Sequence, residues 1–155
     1  MKIGVIGTGN IGGTLARKLS AAGHDVRVAN SRGLEGVRVF ANEIIATAVD
    51  TREAVKGVDL IVMSIPFPAV ADLSKDLFDT VPQHVPVSDT GNYYPGLRDA
   101  QIAEIDAGMP HSVWVSKQLG RPVIKAFNNI LAYSLGGTRP SGRVAWPPCH
   151  RHSGR

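Results

Sequence analysis

Gly7-Thr8-Gly9-Asn10-Ile11-Gly12 sets three glycines at the spacing G-x-G-x-x-G. Between a strand and a helix, that spacing has a definite use. The first glycine makes the tight turn, the second lets a diphosphate approach the backbone, and the third lets the helix lie close to the strand. The free N–H groups and the positive end of the helix dipole then face the phosphates. The flanks fit this use: Lys2-Ile3-Gly4-Val5-Ile6 is a short apolar run rich in β-branched residues, and Ile11, Leu15 and Leu19 recur at helical spacing. Dinucleotide binding is therefore expected over an ordinary glycine-containing turn. A second cluster, Asn30-Ser31-Arg32, follows the strand expected at Asp25–Ala29. An NAD-binding unit carries a carboxylate there that accepts hydrogen bonds from the adenine ribose and repels a 2′-phosphate. Here Ser31 offers a hydroxyl and Arg32 a planar cationic fork, which favours NADP(H) over NAD(H), against the alternative of a merely solvated arginine.

The elements that must position these clusters alternate along the chain. After the helix that Gly23 terminates, a strand is expected over 25–29, a weaker helix over 34–44, a short strand over 45–49 and a helical turn over 51–56. Asp59–Ile65 is a nearly continuous apolar run, as in strands covered on both faces, and Pro66 ends it. Next come an amphipathic helix over 68–78, an edge-like strand over 85–88 weakened by Pro86, and helical segments over 101–107 and 112–119. A strand over 121–127 and a helical piece over 130–135 complete the pattern. Strands alternating with helices imply an α/β fold, a Rossmann-like doubly wound parallel sheet with right-handed crossovers.

Composition narrows the function classes. The chain has 155 residues, enough for one domain. Its formal charge of +4 resides in the stretch from Arg139 onward, which has four arginines and no acid, so residues 1–138 balance at 13 − 13 = 0. A neutral body gives no electrostatic footprint for nucleic acid. The apolar runs are far shorter than the ~20 residues that cross a bilayer, and no signal-peptide pattern opens the chain, so a soluble, cytoplasmic protein without a membrane partner is expected. One cysteine, Cys149, cannot form an internal disulfide.

Five segments in combination carry a resemblance: residues 6–12, Asn30-Ser31-Arg32, Ser64-Ile65-Pro66, Asp89-Thr90-Gly91-Asn92, and Val123-Ile124-Lys125-Ala126-Phe127-Asn128-Asn129-Ile130. Together they resemble the NADPH-dependent deazaflavin (coenzyme F-420) oxidoreductases, over residues 1 to about 145. The resemblance implies that Thr8, Asn10 and Ile11 line the diphosphate, that Ser31 and Arg32 hold the 2′-phosphate, and that Ser64-Ile65-Pro66 passes beside the nicotinamide ribose. It also implies that Asn128, Ile130 and Ala132 border the cleft where nicotinamide meets the acceptor. The implied reaction is hydride transfer between NADPH and a deazaflavin (coenzyme F-420) or flavin-like small-molecule co-substrate, which demands ring stacking and exclusion of water rather than an acid–base dyad. No catalytic residue is therefore assigned. His24, His84 and His111 are expected to be loop or structural residues; Lys125 has a role near the nicotinamide or in a structural ion pair; Asp89 orients a loop; Tyr93, Tyr94 and Trp114 pack in the core or an interface. Two other function classes stand beside this one: a dinucleotide-binding module or remnant without turnover, and a reductase of a ferric chelate, imine or small carbonyl compound.

The pattern breaks near the end. Arg143-Val144-Ala145-Trp146-Pro147 reads as the start of a further strand and then gives way to a tail rich in Arg, Pro and His. The expectation is a dinucleotide-binding domain over 1–146, a disordered tail over 147–155, and a truncated or frame-shifted family member that associates as a homodimer. Cys149, His150 and His152 lack a fourth ligand, so no metal site is expected.

Overall fold

Parallel pairing dominates the computed structural model, which describes residues 1–137. Six strands, β1 (Lys2–Ile6), β2 (Asp25–Ala29), β3 (Thr47–Ala48), β4 (Leu60–Met63), β5 (Val87–Asp89) and β6 (Ile124–Lys125), form one sheet in the order β3-β2-β1-β4-β5-β6. Every pairing is parallel. The order reverses direction between β1 and β4, which opens a crevice at their carboxyl ends, the usual ligand position in such sheets. The strand range 143–147 and the tail residues Cys149, His150 and His152 lie outside the described residues.

The pleat sends alternate residues to two cores. Ile3, Val5, Val26, Val28 and Val62 face one side, where they meet Leu15 and Ala16 of α1 (Asn10–Ala21) and Val37 and Ala41 of α2 (Gly33–Glu43). Ile6, Ala29, Ile61, Met63 and Val87 face the other, against Ala54 and Val55 of α3 (Thr51–Val55) and Trp114, Val115 and Leu119 of α5 (His111–Leu119). Helices on both faces are what the apolar run at β4 requires. Gly4 serves the second face: a Cβ there would lie 1.8 Å from the carbonyl oxygen of Ala54, so only glycine lets α3 lie this close to β1. The remaining helices are short, α4 (Ala103–Asp106) and α6 (Ala132–Gly136).

Four expected elements take a different form. Residues 68–78 are not an α-helix: Phe67–Val70 is a 3₁₀ turn, and further turns closed by bonds between residues three apart follow as far as Val81. The Asp76 carboxylate is taken by the Ser74 hydroxyl and by Arg52 Nη2 at 2.9 Å, so side-chain bonds compete with helix formation. Phe67, Val70, Leu77 and Phe78 are buried all the same. The strand expected over 45–49 shrinks to Thr47–Ala48, because Ile45 sits in the left-handed region at φ 56° in the turn that closes α2. The strand over 85–88 is β5, shifted to Val87–Asp89, and it is interior rather than an edge. Pro86 falls just before it, and only its carbonyl is needed, accepting from the Ile61 N–H at 3.0 Å. β6 is confined to Ile124–Lys125, between Pro122 and a left-handed Phe127 at φ 62°.

Candidate functional site

The glycine turn joins β1 to α1 at the crevice. Gly7 holds φ 98°, and a Cβ on it would fall 2.1 Å from the Ser64 carbonyl oxygen. A Cβ on Gly12 would fall 2.1 Å from the Gly7 oxygen and 2.8 Å from Ser64 Cβ. Both glycines thus serve packing between the turn, α1 and the end of β4. Gly9 differs: its missing Cβ points into open space, with no atom within 4 Å. It precedes α1 without a side-chain cap, so the first N–H groups of the helix are left for an outside acceptor. This is the geometry of a diphosphate cradle.

Asn30 ties the two halves of the cradle together. Its Nδ2 donates to Thr8 Oγ1 at 3.0 Å and its Oδ1 accepts from the Arg32 N–H at 2.9 Å. The side chain therefore holds the glycine turn and the loop after β2 in one arrangement. Ser31 and Arg32 are exposed. Among the described residues Arg32 makes no salt bridge, and the nearby Glu35 is paired with Arg38 at 2.8 Å.

Two clefts open along this edge. One, about 550 Å³, is lined by Gly7, Thr8, Gly9, Asn30, Ser31 and Arg32 on one side and by Ser64, Ile65, Pro66, Ala69, Asp72 and Leu73 on the other. The second, about 510 Å³, is lined by Gly9, Asn10, Ile11 and Ser64–Pro66, and across from them by Thr90–Asn92, Tyr94, Arg98 and 127–132. Gly9, Ser64, Ile65 and Pro66 belong to both, so the clefts form one continuous channel. Of the residues expected from sequence to bind the cofactor, Gly12 alone lines neither and acts through packing. Asn128, Ile130 and Ala132 border the second cleft.

The far wall is built by cross-links between distant side chains. Thr90 Oγ1 donates to Ser64 Oγ at 2.9 Å, and Asn92 Nδ2 donates to the Asn128 carbonyl at 2.6 Å. Asp89 Oδ1 accepts from the Gly91 N–H at 2.8 Å, an Asx turn, and Oδ2 accepts from Lys125 Nζ at 2.7 Å. Arg98 binds both oxygens of Asp99, at 2.7 and 2.9 Å, donates to the Asn92 carbonyl at 2.8 Å, and lies 5.1 Å from the centre of the Tyr94 ring. Hydrogen bonding to Arg98 holds the Asp99 carboxyl below its ordinary range, and the same bond raises the guanidinium. Tyr93 and Trp114 are core residues around Phe67, and His111 packs 5.4 Å from that ring. Tyr94 is half-exposed and lines the second cleft.

Thr90 belongs to the Asp89-Thr90-Gly91-Asn92 run but has no role legible in the sequence, and Arg98 and Asp99 fall in no motif. The Asp-Thr-Gly-Asn run after a strand signals an Asx turn, whereas nothing local marks Arg98 and Asp99 as parts of the wall.

Residues 2–93 match the model of a protein family described as NADP oxidoreductase coenzyme F420-dependent. A hypothetical protein of Sinorhizobium meliloti is similar in structure, with 26% identity, a TM-score of 0.68, and coverage of 88% of this chain and 65% of that one. A candidate F420-dependent NADP reductase from an Arthrobacter species is similar at 19% identity and TM-score 0.67, over 85% of this chain and 64% of its own. Glycerol-3-phosphate dehydrogenase of Saccharomyces cerevisiae shares the fold at 20% identity and TM-score 0.60, over 88% of this chain and 44% of its own. The chain thus spans less than two thirds of each of these structures. Comparison with curated protein sequences gives no match.

Proposed function

Since the chain belongs to the family of coenzyme F420-dependent NADP oxidoreductases, we propose that it binds NADP(H) along the channel and passes hydride between it and a deazaflavin or flavin-like acceptor. The observation that carries this reading is the continuity of the two clefts through Gly9 and Ser64–Pro66, with open space where the Gly9 side chain would be. One extended ligand with a diphosphate at its middle fits that layout.

Each residue then has a physical task. Backbone N–H groups at the start of α1 and the helix dipole hold the diphosphate. Ser31 and Arg32 hold the 2′-phosphate, where an exposed guanidinium without a salt bridge among the described residues gives charge-assisted bonds and positions 30–32 carry no carboxylate. Ala69 and Leu73 offer apolar surface to the adenosine half, Ser64–Pro66 passes beside the nicotinamide ribose, and Asn128 and Tyr94 border the end where two rings meet. When bound, NADPH supplies the hydride; the protein aligns the partners and shields them from water.

Titration with NADPH, NADH and 2′-phospho-AMP tests the assignment. NADPH is expected to bind more tightly than NADH by about 10- to 100-fold, as one or two charge-assisted bonds would give, and 2′-phospho-AMP should compete with it. Equal affinity for the two reduced cofactors would overturn the role of Ser31 and Arg32. Oxidation of NADPH in the presence of deazaflavin, FMN or FAD tests the acceptor class, and binding without turnover against all of them would reduce the reading to a dinucleotide-binding module.

A further inference from the structure

Asp89, Thr90, Gly91 and Asn92 run as a short rail across the carboxyl edge of the sheet. At one end Thr90 is bonded to Ser64, on the wall shared by both clefts; at the other Asn92 is bonded to the carbonyl of Asn128, on the far wall. Lys125 grips the middle. Its Nζ donates to Asp89 Oδ2 at 2.7 Å and also to the Gly91 carbonyl, and lies 5.4 Å from the centre of the Phe67 ring. The Asp89 side chain is 3% exposed and that of Lys125 20%.

Neutralising Asp89 would require only the first of these bonds. The bond to the Gly91 carbonyl fixes the backbone of the rail itself, one residue before Asn92 enters its bond with Asn128. A second observation points the same way. Two residues after Lys125, Phe127 lines the cleft in the left-handed region at φ 62°, a conformation that a bulky side chain adopts only where its surroundings impose it. Anchoring Lys125 on the rail fixes the chain entering that turn, and so sets where Asn128 stands relative to Ser64.

We infer that Lys125 is a positioning residue: through Gly91 and Asn92 it fixes the separation of the two walls that hold the nicotinamide end of the cofactor, without contributing to the grip on the adenosine and diphosphate. This rests on the proposed binding of NADP(H) in the channel. Lys125→Met removes both bonds. Because that variant leaves Asp89 buried without its cation, Lys125→Met combined with Asp89→Asn supplies a neutral version that keeps an oxygen for the Gly91 N–H. Lys125→Arg is the conservative variant.

The test titrates NADPH into the full chain and these variants and follows three readouts: the dissociation constant, the emission of the bound reduced nicotinamide, and hydrogen exchange at the Gly91 and Ala126 amides, which donate to Asp89 Oδ1 and to the Asp89 carbonyl. In the neutral double variant the dissociation constant is expected to change by less than about threefold, because the binding groups elsewhere are intact. The emission gained on binding should fall as the ring loses its fixed surroundings, and exchange at the two amides should rise by about tenfold or more. Lys125→Arg should restore part of both. Unchanged emission and exchange in the double variant would overturn the inference, as would affinity lost in step with emission. An unaltered chain that fails to bind NADPH would overturn the proposed function and this inference with it, whereas normal binding with unaltered emission in the variants overturns the inference alone.

Discussion

The two walls of the channel are made by opposite means. The wall at β1, α1 and β2 is backbone: three glycines, a helix start and one asparagine, all within residues 7–32. The wall at β5 and β6 is side chain: Asp89, Asn92, Lys125 and Asn128 bond across 34 to 36 residues of sequence. A backbone wall depends on the atoms that glycine lacks. A side-chain wall depends on the presence of each partner, so the two should fail differently when altered.

The largest effect is expected at the backbone wall. Gly12→Ala would drive a methyl to 2.1 Å from the Gly7 oxygen and should cost about 3 kcal/mol of stability, as severe overpacking does, with NADPH affinity lost alongside. Urea unfolding and calorimetric titration check it. Gly9→Ala sharpens the contrast, since its Cβ meets nothing: stability should stay within about 0.5 kcal/mol while NADPH binding weakens about tenfold or more, as a methyl enters the space claimed by the diphosphate. Equal losses of stability in the two variants would break the distinction.

Asp89→Ala comes next. Removing one partner of a buried pair costs about 3–5 kcal/mol when the other charge stays buried. Because the Lys125 side chain keeps one fifth of its surface exposed and can draw water, about 2–3 kcal/mol is expected, read by urea unfolding. NADPH affinity should suffer less than in Gly12→Ala.

The legibility of the fold and site in the sequence follows the same division. Gly7, Gly9 and Gly12 announce their wall because a turn, a phosphate approach and a helix contact constrain neighbouring residues, and neighbouring residues are what a motif records. The parallel, doubly wound sheet follows from the alternation of apolar runs and helices, whereas the strand order is a long-range property that the alternation leaves open. The second wall is legible only in pieces: Asp89 reads as a loop-orienting residue and Lys125 either as a residue near the nicotinamide or as half of an ion pair, but nothing short-range says that they meet each other, or that Thr90 reaches Ser64. The segment 68–78 misleads for a related reason. Its apolar spacing serves burial as a helix would, while Arg52, 24 residues earlier, binds the Asp76 carboxylate that the turns present.

Arg32→Gln probes the cofactor end with a smaller expected effect: NADPH affinity falls about 10- to 100-fold and NADH affinity stays within about twofold, measured by parallel titrations. The smallest effect concerns the Arg98–Asp99 pair at the side-chain wall. Its bond to Arg98 lowers the Asp99 carboxyl in the folded chain, so this pair contributes stability above the unfolded carboxyl pKa of about 3.9, and that contribution is lost as pH falls through the folded value. Melting temperatures recorded between about pH 2 and 6 should show the Asp99→Asn variant below the unaltered chain at the upper end and converging with it at the lower end.

Determining the structure of the full chain with NADPH bound tests the central claim most directly. The account expects the diphosphate at the N-terminus of α1 beside Gly9, the 2′-phosphate at Ser31 and Arg32, and the nicotinamide between Ser64–Pro66 and Asn128. NADPH seated in another cleft, with the space beside Gly9 left to solvent, would contradict it.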